Sequence, residues 1–260
     1  MNKPVLYSIV EGSGPMVVLS HALGCDHTMW DGVAAQLSEN YTVLRYDHRG
    51  HGQSEAPPGP YSIDMLADDA AALIGAYSDG PVHVVGLSMG AMTAQSLAAR
   101  YPALVRSVVI ANAAAHYDDA ARAMWKARVE TVLEKGVAVI ADGAMQRWFT
   151  PEFRADAAGG GAQRVSELRA RLERLDAKAY AASCLAVSGI DFRTSNAAIA
   201  FPALVIAGTR DEATPVAMSE AIQRSIPGAL LRTIDAAHLS AVEQPLQFAA
   251  LVEDFLKGQP

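Results

Sequence analysis

The sequence predicts an α/β fold: a mostly parallel central sheet with helices on both faces and a helical cap inserted between two parts of the sheet. Three observations carry this reading. Short apolar runs alternate with helical patterns over the first 112 residues, the alternation stops across residues 116–195, and it resumes from residue 203. Near-continuous apolar strands separated by helices mark a parallel sheet buried on both faces, because parallel neighbours need crossover connections. The expected division is a core domain of residues 1–115 and 196–260 carrying a cap of residues 116–195.

Taken in order, "VLYSIV" (5–10) and "MVVLSH" (16–21) read as strands joined by the turn "EGSGP". "TVLRYD" (42–47), "VHVVGL" (82–87) and "LVRSVVIAN" (104–112) are further apolar runs, each stopped by turn residues. Helical patterns fall at 30–38, 63–77 and 89–100. Residues 116–195 are helical in pattern, without a buried strand, and contain a flexible "AAGGGA" at 157–162. The strand "ALVIAG" (203–208), a helix near 216–225, the strand "ALLRTID" (229–235) and a helix at 245–257 complete the chain. There is no internal repeat.

With 260 residues, 51% of them hydrophobic, the chain can bury one sizeable core with an insertion. A net charge of −7 gives no electrostatic footprint for nucleic acid. No apolar run reaches the ~18 residues of a membrane helix, and "MNKPVLYSIVEG" lacks the apolar core of a signal peptide, so a cytoplasmic protein is expected. Cys25 and Cys184 allow at most one disulfide and read as free thiols. Residues 116–195 hold 12 Lys/Arg and 11 Asp/Glu, a net of +1, which leaves −8 (9 minus 17) for the remainder. An almost neutral, arginine-bearing cap over an acidic body suits a small anion; the alternative is a set of solvated helices with local ion pairs.

The chemistry centres on "GLSMG". Ser88 stands between Gly86 and Gly90, where a strand must turn directly into a helix. As a structural turn, the glycines would supply backbone freedom and the serine a helix cap. As a nucleophile elbow, the serine hydroxyl would stand clear of the sheet at a helix N-terminus. A serine hydroxyl also needs a base, and the base needs an orienting group. Asp211, in "GTRDEATP", and His238, in "DAAHLSAVEQP", each follow a later strand, in the chain order that such an arrangement takes. Asp235 and Glu212 are the rival acids and rank below Asp211. For an oxyanion, the backbone N–H groups of Met89 and of Leu23, in the loop "HALG", are the expected donors. His21 is expected to brace that loop, and Cys25 to be inert. "DHRGHGQS" (47–54) lacks the spacing of a phosphate loop and reads as a structural turn rather than a metal site.

Through "LSHALG", "MWD", "LRYDHRGHGQS" and "GLSMGAMTAQ" the chain resembles the α/β-hydrolase family nearly end to end. Through the cap segments "MWKARVETVLEKG", "RWFTPEF" and "YAASCLAVSGIDFR" it is most similar to the 3-oxoadipate enol-lactonases of aromatic-compound catabolism. The departures are His48, Ala91 and Cys25, and none removes a catalytic group. The resemblance implies hydrolysis of an enol lactone through an acyl-enzyme on Ser88, with no metal, nucleotide or flavin. Other esterases or lactonases on this scaffold, aryl lactone hydrolases among them, are the nearest rivals; a ligand-sensing protein that kept the fold is the rival of another class. The expected partner is a small lactone or ester, anionic in the enol-lactone case, with neither nucleic acid nor membrane; the oligomeric state is open.

Within the cap, Arg147 adjoins Trp148, and Arg128 follows Trp125 by three residues, on the same face of a helix. Either these residues line the cavity, with guanidinium groups for a carboxylate and tryptophans against the ring, or the tryptophans pack the cap while the arginines face solvent.

Overall fold

The computed structural model describes residues 4–258. The outermost residues of both expected core segments, 1–3 and 259–260, and with them the start of "MNKPVLYSIVEG", lie outside the described residues. Seven strands form one sheet among the described residues: β1 (Ser8–Gly12), β2 (Met16–Ser20), β3 (Thr42–Tyr46), β4 (Val82–Leu87), β5 (Val105–Ala111), β6 (Ala203–Gly208) and β7 (Leu230–Ile234). Their order is β1-β3-β2-β4-β5-β6-β7, and all pairs but β1–β3 are parallel. Every residue of β4 and β6 is buried, as both faces of a covered sheet require. β7 has one strand neighbour and buries only Ile234, which explains why Arg232 and Thr233 interrupt its apolar run.

The first strand departs from the expected 5–10. Its ladder begins at Ser8, opposite Tyr46, because β3 ends there. Before that point the chain is held by the following turn: Asp47 N–H donates to the Tyr7 carbonyl (2.9 Å) and Glu55 N–H to the Val5 carbonyl (3.1 Å).

Three helices connect the first five strands: α1 (Asp31–Leu37), α2 (Ile63–Tyr77) and α3 (Met89–Arg100). Between β5 and β6 come α4 (Asp119–Lys135), α5 (Ala141–Trp148), α6 (Pro151–Ala155), α7 (Gly161–Glu173) and α8 (Ala177–Ser188). The side chains of Asp118, Thr150 and Asp176 cap α4, α6 and α8 by accepting from free N–H groups of the first turn. The glycine-rich stretch is an organised turn, since Asp156 accepts the Gly159 N–H (2.7 Å) before α7 starts. A bridge between His116 and Asp191 ties together the points where the chain leaves and rejoins the sheet. After β6 follow α9 (Val216–Ser225), the short α10 (Ser240–Glu243), which is not among the expected elements, and α11 (Pro245–Lys257). No helix among the described residues is long and apolar enough to cross a membrane.

The β4–α3 junction is the tightest point of the fold. A Cβ at Gly86 would strike the Gly90 backbone, and one at Gly90 would strike the carbonyls of Ser20 and His21. Neither neighbour is a flexible side chain, so neither can yield. Gly90→Ala should therefore destabilise the protein by about 1–3 kcal/mol, the usual cost of overpacking, read as a lower midpoint of urea unfolding.

Candidate active site

The loops after β2, β4, β6 and β7 converge at the carboxyl edge of the sheet, where open α/β sheets hold their ligands. After β4 the chain turns at Ser88, whose backbone (φ 56°, ψ −117°) lies in the left-handed half of conformational space. Ser88 N–H donates to the Ala111 carbonyl (2.9 Å), so the β4–β5 pairing runs into the turn and fixes it. After β7, His238 is held between two anchored neighbours: Ala237 N–H donates to Glu243 (3.0 Å) and Leu239 N–H to the Trp148 carbonyl (3.0 Å).

The structure brings Ser88, His238 and Asp211 into one line. His238 Nε2 lies 2.9 Å from Ser88 Oγ, and its Nδ1 lies 2.9 Å from Asp211 Oδ2. An ionised carboxylate only accepts, so the ring proton sits on Nδ1 and Nε2 is left to accept from the hydroxyl. Asp211 is buried and fully engaged. Its Oδ2 also accepts from Asn112 Nδ2 (2.9 Å) and Thr214 Oγ1 (2.7 Å), and its Oδ1 from the N–H groups of Ala213 (2.8 Å) and Thr214 (2.9 Å). Burial works to raise its pKa, but His238 and the Thr214 hydrogen bonds prevail and hold it at about 2. It stays ionised and acceptor-only.

Leu23 N–H and Met89 N–H have no acceptor among the described residues, although both residues are buried. Leu23 shares with Ser88 and His238 the wall of a cavity of about 420 Å³. Trp125, Arg128, Arg147 and Trp148 line the same cavity, as does Glu212. Arg128 Cζ lies 4.7 Å over the Trp125 ring, which is the shared helix face expected from their spacing. Arg147 loses basicity through burial and through its neighbour Arg128. Neither arginine has a carboxylate partner among the described residues. Other arginines of α7 do: Arg164 meets Asp31 at 3.4 Å and Arg171 meets Asp26 at 2.9 Å.

The remaining candidates fall elsewhere. Asp235 is exposed and accepts from Thr209. His21 braces its loop, donating from Nδ1 to the Ala22 carbonyl (2.8 Å) and accepting the His48 N–H at Nε2 (2.9 Å). Burial pushes the Cys25 thiol far above its usual range and Cys184 up to about 12, and both are free. Asp26, His27 and Asp47 are close enough to share a cation. Their carboxylates, however, already accept internal donors: Asp47 takes the backbone and ring N–H of His27 (2.7 and 2.8 Å) and Gln53 N–H (2.8 Å).

Sequence reasoning missed Asn112, Thr214 and Glu243. Asn112 has φ 47°, and its amide spans the site: Nδ2 donates to Asp211 while Oδ1 accepts from Ser240 Oγ (2.6 Å). An asparagine ending an apolar strand signals a left-handed turn, but not the acid 99 residues away that it serves. Glu243 accepts both from Ala237 N–H and from the Thr150 hydroxyl, and so joins the His238 loop to the inserted helices.

A family profile described as alpha/beta hydrolase fold matches residues 15–245. The chain is 37% identical over 243 residues to 3-oxoadipate enol-lactonase 2 of Acinetobacter baylyi, covering 94% of this chain and 89% of that one. It is 33% identical over 248 residues to 3-oxoadipate enol-lactonase 1 of the same organism, covering 95% and 90%. The crystal structure of the enol-lactonase from Burkholderia xenovorans LB400 superposes with a TM-score of 0.93 at 35% identity, covering 98% of each chain.

The Asp211 carboxyl sets a pH dependence. Its folded pKa, about 2, lies below the ordinary value of 3.8, so the fold favours the ionised form. That stabilisation is complete above the ordinary value and is lost as pH falls toward and through 2. The stability difference between wild type and Asp211→Asn, from urea unfolding, should therefore shrink between about pH 5 and pH 3. A constant difference would show that the carboxylate charge contributes nothing to folding.

Proposed function

The chain belongs to the α/β-hydrolase fold family, and we propose that within it the protein is a serine hydrolase that opens a small anionic enol lactone, 3-oxoadipate enol-lactone being the candidate. One observation carries this reading: Ser88, hydrogen-bonded through His238 to Asp211, opens with His238 and Leu23 onto a cavity that also holds two arginines without carboxylate partners among the described residues. Residues 116–195 are read as the cap that supplies those arginines, and residues 1–115 with 196–260 as the body.

Ser88 Oγ attacks the lactone carbonyl carbon as its proton passes to His238 Nε2. Charge moves onto the carbonyl oxygen, where the Leu23 and Met89 N–H groups receive it. Asp211, held ionised, offsets the positive charge that forms on His238. The tetrahedral intermediate collapses by breaking the bond between the acyl carbon and the ring oxygen. That oxygen leaves as an enol, with the proton from His238, and tautomerises to a ketone. In a lactone the leaving group remains tethered to the acyl chain, so the cavity must hold the whole opened molecule. His238 then deprotonates a water that attacks the acyl carbon, and Ser88 departs with the proton. The product carries one more carboxylate than the substrate: 3-oxoadipate, in the β-ketoadipate route of aromatic catabolism. Arg128 and Arg147 are assigned to the carboxylate already present on the substrate, with Trp125 and Trp148 against the ring.

Ser88→Ala should fold normally and lose about 10⁴-fold or more in kcat on every ester tried, because the members of such a unit act together. Near wild-type turnover would rule the serine mechanism out. Arg128→Ala and Arg147→Ala test the substrate. A charge-assisted hydrogen bond to a carboxylate contributes roughly 1.5–3 kcal/mol, so kcat/KM for the anionic lactone should fall by about 10- to 150-fold. Turnover of p-nitrophenyl acetate, which has no carboxylate, should barely change. Equal losses on both substrates would mean that the arginines hold the cap rather than the substrate, and would favour a neutral-ester hydrolase.

A further inference from the structure

The turn at residues 48–54 has no place in the chemistry above, yet one of its side chains reaches the loop that carries Leu23. His51 is buried, and its Nε2 accepts the N–H of Gly24 at 3.2 Å. Its Nδ1 lies 3.2 Å from the Arg49 carbonyl. A carbonyl only accepts and an N–H only donates, so the two contacts fix the tautomer: Nδ1 carries the proton and Nε2 is bare. Burial, with His21 adding to it, lowers the pKa of the ring to about 3, so the ring is neutral at neutral pH.

The donors around Leu23 are otherwise all occupied. Ala22 N–H points at Met29 Sδ (3.3 Å), and Cys25 N–H donates to the Ala22 carbonyl (3.1 Å). Two peptide planes flank Leu23. The one between Ala22 and Leu23 contains the Leu23 N–H itself, and its carbonyl is held by His21 Nδ1 and by Cys25 N–H. The plane between Leu23 and Gly24 is held through its N–H by His51 alone. Gly24 has φ +82°, and a Cβ there would meet Leu172 and Trp148, so the loop is also covered from the side of the inserted helices. Without the His51 contact, the second plane loses the one hydrogen bond that its N–H makes, and Leu23, whose Cα joins the two planes, is anchored from one side only.

We infer that His51 is a positioning residue of the oxyanion hole, which aims the Leu23 N–H at the reacting carbonyl by accepting the Gly24 N–H at its Nε2. The inference rests on the reading of Ser88 as nucleophile and Leu23 as donor. His51 touches no substrate. It acts through the backbone, and its effect belongs to the transition state, where the carbonyl oxygen becomes charged.

The test compares His51→Phe, which keeps a ring but loses the acceptor, with His51→Gln, whose amide oxygen replaces Nε2. The measurements are p-nitrophenyl acetate kinetics, inhibition by phenylboronic acid, and thermal unfolding. Ser88 Oγ adds to the boron as its proton passes to His238 Nε2, forming a tetrahedral anion that reports on the oxyanion hole without turnover. Losing one oxyanion donor outright costs about 10²- to 10³-fold; a misaimed donor should cost less, so His51→Phe should lower kcat/KM by about 10- to 100-fold. The boronic acid inhibition constant should rise by the same factor, with KM little changed, and His51→Gln should recover most of both. If the Phe variant does not fold, His51→Leu takes its place with the same expectations. A lower melting temperature with kcat/KM and boronic acid affinity both at wild-type level would overturn the inference, since His51 would then only support the fold. So would unequal factors in the two measurements. Full activity of Ser88→Ala, run in parallel, would instead remove the serine reading and this inference with it.

Discussion

The site depends on one backbone turn that the surrounding structure holds against its own preference. Ser88 occupies a region (φ 56°, ψ −117°) that costs a residue with a side chain on the order of 1–3 kcal/mol. Such a conformation survives only where neighbours over-determine it. On one side, β4 is buried throughout and paired with β2 up to Gly86 and with β5 up to Leu87, and the Ser88 N–H adds one more bond to Ala111. On the other side, the first turn of α3 is pressed through Gly90 against the end of β2. That second contact matters beyond the turn itself. Because Gly90 touches the carbonyls of Ser20 and His21, the loop that follows β2 must begin beside the N-terminus of α3. Leu23 and Met89, 66 positions apart in sequence, are thereby brought to the same edge of the sheet.

His238 depends on a different link. Its loop follows an edge strand that buries little, and such a loop would wander unless tied down. The ties come from α10 and from the inserted helices: Glu243 accepts Ala237 N–H, and the Trp148 carbonyl accepts Leu239 N–H. Glu243 also accepts from Thr150, so one buried carboxylate fixes the histidine and the proposed cap at once. Ion pairs of Arg164 with Asp31, Arg171 with Asp26 and Arg210 with Glu152 join the two parts elsewhere. Pairs that stay partly open to solvent contribute little each, whereas the buried acceptor is costly to leave unmatched. The position of His238 and the seating of the inserted helices thus share one buried anchor.

Much of the architecture was legible because it is local. Apolar runs such as "VHVVGL" and "ALVIAG" carry their burial in their own letters, and helix limits such as Ile63–Tyr77 and Pro245–Lys257 follow from the amphipathic period and from Ser62 and Pro245 at their starts. Ser88, Asp211 and His238 were legible through strand-end position and chain order. What could not be read is how those ends are held. Asn112 serves an acid 99 residues away, His51 a peptide 27 residues away, and Thr150 a carboxylate 93 residues away. A hydrogen bond between two turns leaves no periodic trace in either. The first strand was misplaced for the same reason, because Val5 and Tyr7 pair with a turn rather than with β3.

Charge in the inserted helices divides by position. Where arginines face the acidic body they are paired, as Arg164 and Arg171 are, and the near-neutral total of that segment hides the division. Arg128 and Arg147 face the cavity and stay without a carboxylate, one of them already weakened as a base by burial and by the other. Two such cations held together lack a counter-charge, and on the proposed reading the substrate supplies it. That attraction is nearly the same before and during the reaction, because the substrate carboxylate takes no part in bond making. On that reading it selects and holds the substrate rather than accelerating the chemistry, which would fall to the proposed donors on Leu23 and Met89, where charge appears only in the transition state. On the same reading, hydrolysis then creates a second carboxylate at Ser88, beside His238 and the Asp211 carboxylate behind it. On that reading the arginines also hold the product through its original carboxylate, so the strength of the contacts that ensures selectivity also sets part of the barrier to release.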